Sequence, residues 1–187
     1  MKIAILIFDG FNELDSFIAA GILNRIKERG WDVQITSPSP SVVSMNGVTI
    51  MSQQSLEFVN IADVVLFGSE LLTRDIAKDS HLLSRLNLDP SKQLIGGQCS
   101  GTLLMFVLGL LNGVAACTDL TTKPWVIKSG VEVINKPFNA QGNIATAGGC
   151  LASQYLATWV IYKLVGKQQA EAAIHYASPV SEKVQYI

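Results

Sequence analysis

Apolar and polar positions fall into blocks along this chain, and the blocks read as strand, helix, strand, helix. Lys2–Phe8 is a run of apolar and β-branched residues that predicts a buried strand. Asn12 can cap a helix with apolar positions at Leu14, Phe17, Ile18, Ile22 and Ile26, closed by Gly30. Trp31–Ser37 predicts a second strand, and Ser41–Ser44 with Val48–Met51 flank Asn46-Gly47 as a small hairpin. Val64–Phe67 is a short, wholly apolar strand, followed by Gly68 and polar, helix-prone sequence to Leu86. Gln93–Gly96 predicts another strand, leading through a tight turn into a helix from Ser100 to Leu111. Beyond it, Ala115–Thr118, Val131–Ile134 and Asn143–Thr146 are candidate strands, and Pro124 suits the first turn of a helix. Cys150–Val165 reads as a long apolar helix and Lys167–His175 as a shorter one.

Alternating strands and helices imply a mostly parallel sheet with helices on both faces, an α/β three-layer sandwich of flavodoxin-like type. No linker, repeat or low-complexity segment interrupts the pattern, so residues 1–187 are expected to form one domain. Composition agrees: 49% hydrophobic and 16% charged residues suit strands buried on both faces. With a net charge of −1 and no basic cluster, binding to nucleic acid or to a membrane surface is not expected. The first apolar run is too short for a signal peptide, and Thr102–Leu111 is about half of the ~20 residues a membrane span needs. A cytoplasmic location follows as the expectation. Low charge with apolar surface also favours self-association.

Cys99, Cys117 and Cys150 are too scattered for a disulfide framework or a paired-cysteine metal site, so free thiols and no metal are expected. Among them Cys99 stands out. Gly97-Gln98-Cys99-Ser100-Gly101 has the pattern of a nucleophile elbow, a sharp turn from strand to helix that holds a reactive side chain over the sheet edge. The following helix N-terminus is expected to favour the thiolate, and backbone N–H groups from Ser100 onward to stabilise developing negative charge. The competing reading is an inert core cysteine. Gly148-Gly149-Cys150-Leu151-Ala152 lacks the second flanking glycine and reads as a structural turn, while Cys117 reads as core.

A nucleophilic thiol needs a proton acceptor, and neither histidine, His81 or His175, lies in a sequence context that pairs it with Cys99. Asp15 is the better candidate. It shares one side of the first helix with Ile18, Ala19 and Ile22, and a carboxylate on an apolar stripe is desolvated, which raises its pKa and suits it to proton exchange. Its alternative role is to complement the helix N-terminus. Gly68-Ser69, directly after the third predicted strand of the sheet, can add a backbone N–H to the same site.

Several of these segments resemble the ThiJ/PfpI superfamily, which has the class I glutamine amidotransferase-like fold. They are Ile5–Gly10 with Glu13-Leu14-Asp15, Ala62–Val65 leading to Gly68, the elbow Cys99–Leu103, Gly109–Gly113 and Thr146–Gly149. The elbow reads Cys-Ser-Gly where protease-like members have Cys-His-Gly, so the sequence is most similar to the isonitrile hydratase branch. That resemblance implies Cys99 as nucleophile, Asp15 as acid/base and Ser100 as the neighbouring hydroxyl, with donors at Gly68, Ser69 and Ser100. It implies addition of water to a small isocyanide, no cofactor, a small-molecule substrate and a homodimer. The sequence departs from the branch at Ile18-Ala19, where Gly-Pro is usual, at Gly68-Ser69 and at Lys123-Pro124-Trp125, where a histidine is missing. Two other functions remain open: a redox- or stress-responsive protein whose elbow cysteine is oxidised, and a non-enzymatic ligand-binding domain.

Overall fold

Strand β1 (Lys2–Leu6) sends alternate side chains to opposite faces of a sheet, Ile3 and Ile5 to one side and Ala4 and Leu6 to the other. The computed structural model describes residues 1–181, apart from the side chains of residues 27–29. After β1 come helix α1 (Glu13–Leu23), a 3-10 segment (Asn24–Arg29), β2 (Asp32–Ser37), the hairpin β3 (Ser41–Val43) and β4 (Thr49–Met51), and β5 (Gln54–Ser55). A 3-10 turn (Leu56–Ile61), β6 (Val64–Phe67), α2 (Thr73–Ile76), α3 (Ser80–Leu83), β7 (Leu94–Gln98) and α4 (Gly101–Val107) follow. The chain continues through α5 (Lys123–Lys128), β8 (Phe138–Gln141), β9 (Ile144–Ala147), α6 (Ser153–Val165) and α7 (Lys167–Ala177).

The main sheet has seven strands in the order β5-β2-β1-β6-β7-β9-β8, parallel except for β8. Residues of α1, α6 and α7 (Ala19, Ile22, Leu156, Val160 and Ala170) cover the Ile3–Ile5 face. On the other face Leu56, Phe58, Leu104 and Met105 pack on Ala4, Leu6 and Val65. This is the three-layer flavodoxin-like α/β fold that the alternation implied. Among the described residues no helix is long and apolar enough to cross a membrane.

Strand order reverses between β1 and β6: the chain runs outward one way through β2 and β5, then the other way through β7 and β9. Loops leaving the carboxyl ends of these strands diverge there and open a crevice. Asn12 caps α1 as expected, its side-chain oxygen accepting the Leu14 N–H at 3.0 Å. The helix then turns Ala19, Ile22 and Leu23 inward, and Asp15 and Ser16 with them. Leu14 and Phe17, expected on the apolar face, are instead 49% and 40% exposed. The buried stripe follows the spacing 15, 19, 22, 23, and Leu14 and Phe17 fall outside that arc.

Other expectations need correction. Ala115–Thr118 and Val131–Ile134 do not form strands and meet only through a single Ala116–Val133 bridge. The place beside β9 is taken by β8, a segment of mixed polarity with no clear apolar alternation. The helix after the elbow stops at Val107 rather than Leu111, because Gly109 adopts a left-handed conformation that breaks the helix.

Candidate functional site

Cys99 follows the last residue of β7 with φ +47°, one of two non-glycine residues with positive φ among those described. A β-carbon residue in that region carries strain of order 1–3 kcal/mol, which the surroundings must hold in place. Two glycines make the turn possible. A Cβ on Gly97 would lie 3.1 Å from the Thr102 nitrogen, at the start of the helix that returns over the strand. One on Gly101 would press into the Gly68 carbonyl oxygen and lie 2.9 Å from the Phe67 carbonyl oxygen. The elbow pattern therefore records how closely α4 packs against the end of β6.

Asp15 comes up beneath Cys99 from α1. The carboxylate and the Cys99 sulfur lie within 4.8 Å of each other, and the Cys150 sulfur is within the same distance of both. Asp15 is 1% exposed and accepts hydrogen bonds from the Ser69 hydroxyl at 2.5 Å, the Ser16 hydroxyl at 3.2 Å and the Ser69 backbone N–H. Burial is the dominant influence and raises its pKa to about 6, against the opposing pull of those donors and of the Cys99 thiol. Burial also pushes the Cys99 pKa up, and the Asp15 charge adds to it. Both influences work against the thiolate that the helix N-terminus is expected to favour, and α4 has only seven residues.

The predicted donors are sorted by the fold. Gly68 donates its N–H to the Leu6 carbonyl at 2.9 Å, extending the β1–β6 ladder, and so is not available to a substrate. The Ser69 N–H is turned toward Asp15. Ser100 retains a backbone N–H without a protein partner among the described residues, whereas its hydroxyl is 2.7 Å from the Thr73 hydroxyl and accepts the Glu70 N–H at 3.1 Å. Ser100 is therefore next to Cys99 with its hydroxyl committed elsewhere.

Two residues join the site that sequence reading did not select. Cys150 meets Cys99 because β7 and β9 are adjacent parallel strands, and the Cys99 N–H donates to the Ala147 carbonyl at 2.8 Å. Its Gly-Gly-Cys turn was the available signal. Glu70 is 5% exposed, and burial, with the Asp15 charge adding to it, raises its pKa well above the usual carboxylate range. One carboxyl oxygen accepts from the Thr73 hydroxyl at 3.1 Å and the other has no hydrogen-bond partner among the described residues. Cys99, Cys150, Ser100, Glu70, Asp119 and Trp125 line an open cavity of about 370 Å³. Trp125 enters it from α5, where Pro124 occupies the first turn as expected, and Arg74 lies over its ring at 4.9 Å. Asp15 does not line this cavity and lies within 4.8 Å of the Cys99 sulfur that does. No histidine lines it; His81 and His175 are on the surface.

The fold gathers Asp15, Cys99 and Cys150, far apart in sequence, into one cluster whose carboxylate and sulfur atoms lie within 4.8 Å of one another. Cys117, fully buried, is a core residue as expected.

Comparison with known proteins supports the architecture. The profile of the DJ-1/PfpI family matches residues 1–162. No curated protein matches the chain by sequence. A ThiJ/PfpI family protein from Pseudomonas syringae superposes with a TM-score of 0.84 at 19% identity, over 97% of this chain and 76% of that one. Drosophila melanogaster DJ-1beta gives 0.81 at 22% identity, over 94% and 96% of the two chains. The oxidised form of Toxoplasma gondii DJ-1 gives 0.79 at 18% identity, over 94% and 97%.

Proposed function

This chain belongs to the DJ-1/PfpI family, and from that premise we propose that it is a small-molecule hydratase in which Cys99 is the nucleophile and Asp15 the acid/base. The observation that carries the reading is the buried carboxylate–thiol pair, with the two groups within 4.8 Å and no histidine lining the cavity. A carboxylate with a pKa of about 6 can take a thiol proton and return it near neutral pH. That suits addition to a compact electrophile better than acyl transfer from a peptide, where the leaving amine needs a proton donor that reaches it inside the cavity.

The substrate class that fits is a small isocyanide. Asp15 accepts the Cys99 proton as sulfur bonds to the terminal carbon, and then delivers it to that carbon, giving a thioimidate. Water adds to the thioimidate carbon, the C–S bond breaks, and an N-substituted formamide leaves with the thiol restored. The free Ser100 N–H is the donor available to charge developing during the addition steps. Purified protein should hydrate a simple alkyl isocyanide to the formamide, and Cys99→Ala should abolish turnover. Undiminished hydration by Cys99→Ala would overturn the reading.

We also propose that the protein works as a homodimer. Phe17 and Leu151, 40% and 63% exposed, line the same groove between α1 and the start of α6, and Leu14 on α1 is 49% exposed, apolar surface suited to burial in self-association. Light scattering should return twice the chain mass, and Phe17→Glu should shift the protein toward monomer.

A further inference from the structure

We propose that Cys150 is a resolving cysteine, which converts an oxidised Cys99 into an intramolecular disulfide and so makes the site a reversible dithiol. The two residues are 51 positions apart in the chain, yet their sulfurs lie within 4.8 Å at the ends of adjacent strands. Both line the same cavity, so an oxidant reaching one sulfur meets the other.

The surroundings hold the pair face to face. The Asn12 side-chain amide donates to the Cys150 sulfur at 3.0 Å, and its orientation is fixed because its oxygen caps the Leu14 N–H. The Gln98 amide donates to the Gly149 carbonyl at 2.8 Å and to the Cys99 sulfur at 3.4 Å. One side chain thereby ties the loop carrying Cys150 to the turn carrying Cys99. Closing a disulfide needs the sulfurs to approach to about 2.05 Å, a movement within reach of side-chain rotation and a small loop shift. The same cluster could take a metal only at a cost. Asp15 already accepts from two hydroxyls and a backbone N–H, whereas each sulfur accepts from one side-chain amide.

The chemistry balances with a hydroperoxide as oxidant. Cys99 sulfur attacks the terminal peroxide oxygen as Asp15 takes the thiol proton. The O–O bond breaks, the alkoxide leaves as an alcohol carrying that proton, and Cys99 becomes a sulfenic acid. Cys150 sulfur then attacks the sulfenic sulfur, the S–S bond forms, the S–O bond breaks, and the hydroxide leaves as water with the Cys150 proton. In sum, one peroxide is reduced by two electrons and two thiols become one disulfide. Without Cys150 the sulfenic acid is open to further oxidation, to the sulfinic acid.

The test treats the reduced full chain, in chelator-treated buffer, with excess hydrogen peroxide, and reads intact mass and peptide maps. The wild type should lose two hydrogens, yield a Cys99–Cys150 cross-linked peptide and recover its starting mass with dithiothreitol. Cys150→Ser should instead gain two oxygens on Cys99, irreversibly. Cys150 is only partly buried, so the serine variant is not expected to unfold, and a circular dichroism spectrum checks this. The inference fails if the wild type accumulates Cys99 sulfinate as fast as Cys150→Ser does. It fails equally if Cys99 stays unmodified, or if the cross-link joins a different pair. None of these readouts depends on isocyanide turnover, so loss of one proposal leaves the other standing.

Discussion

Asp15→Asn should lose about 10²–10⁴-fold in isocyanide turnover and, above pH 6, leave a more stable protein than the wild type. The first half follows from geometry. Asp15 is the carboxylate within 4.8 Å of the Cys99 sulfur, and burial pushes the thiol pKa up, so sulfur needs a base to attack. An asparagine keeps the shape and an acceptor for Ser69 but takes no proton. The second half follows from linkage. Burial raises the Asp15 pKa from 3.8 to about 6, so between those pH values the folded protein binds more protons than the unfolded chain. Stability therefore falls as pH rises through that window, and above it the whole cost of ionising a buried carboxyl is present. At about 1.4 kcal/mol per pH unit, that cost is roughly 3 kcal/mol at neutral pH.

Urea denaturation as a function of pH checks the sign. The two proteins should be equally stable below pH 3.8, and the variant should gain as the wild type ionises. A variant less stable than the wild type at pH 8 would show that the Ser69 and Ser16 bonds outweigh desolvation. The wild-type kcat/KM profile should carry an acid limb near pH 6, where Asp15 becomes protonated, and the residual activity of the variant should lack it.

Gly101→Ala should destabilise the fold by about 3 kcal/mol, in the upper range for steric overpacking. The added Cβ would press on the Gly68 carbonyl oxygen and lie 2.9 Å from that of Phe67, both backbone atoms. Neither can retreat: Phe67 ends β6 in the centre of the sheet, and the Gly68 N–H is bonded to Leu6. For a chain of 187 residues that loss corresponds to roughly 6–12 °C in Tm. The displaced α4 would also move the Ser100 N–H away from Cys99, so activity should fall in the protein that remains folded. A melting temperature unchanged within a degree or so would mean that the turn has slack the structure does not suggest.

The sequence by itself determined the features whose causes are local. Apolar runs such as Val64–Phe67 can only be buried strands in a chain of this composition, and that strand is found with the same bounds. The Asn12 cap, the helix after it and the glycine-flanked turn at Cys99 are also short-range chemistry, readable from a few neighbouring residues. Asp15 was legible as an anomaly, a carboxylate on an apolar stripe, though the groups that bind it were not. β8 escaped because an edge strand of mixed polarity has no distinctive alternation, while the candidate strands Ala115–Thr118 and Val131–Ile134 form only a single bridge between them. Only the tertiary structure decided which groups share the site. Cys150 sits beside Cys99 because strand order makes β7 and β9 neighbours, and Glu70 lies in the cavity wall because Ser100 and Thr73 hold it there. The surroundings that shift the thiol pKa were decided the same way. A helix N-terminus can be read from sequence, but the desolvation and the neighbouring carboxylate that oppose it depend on what the folded chain packs around the sulfur.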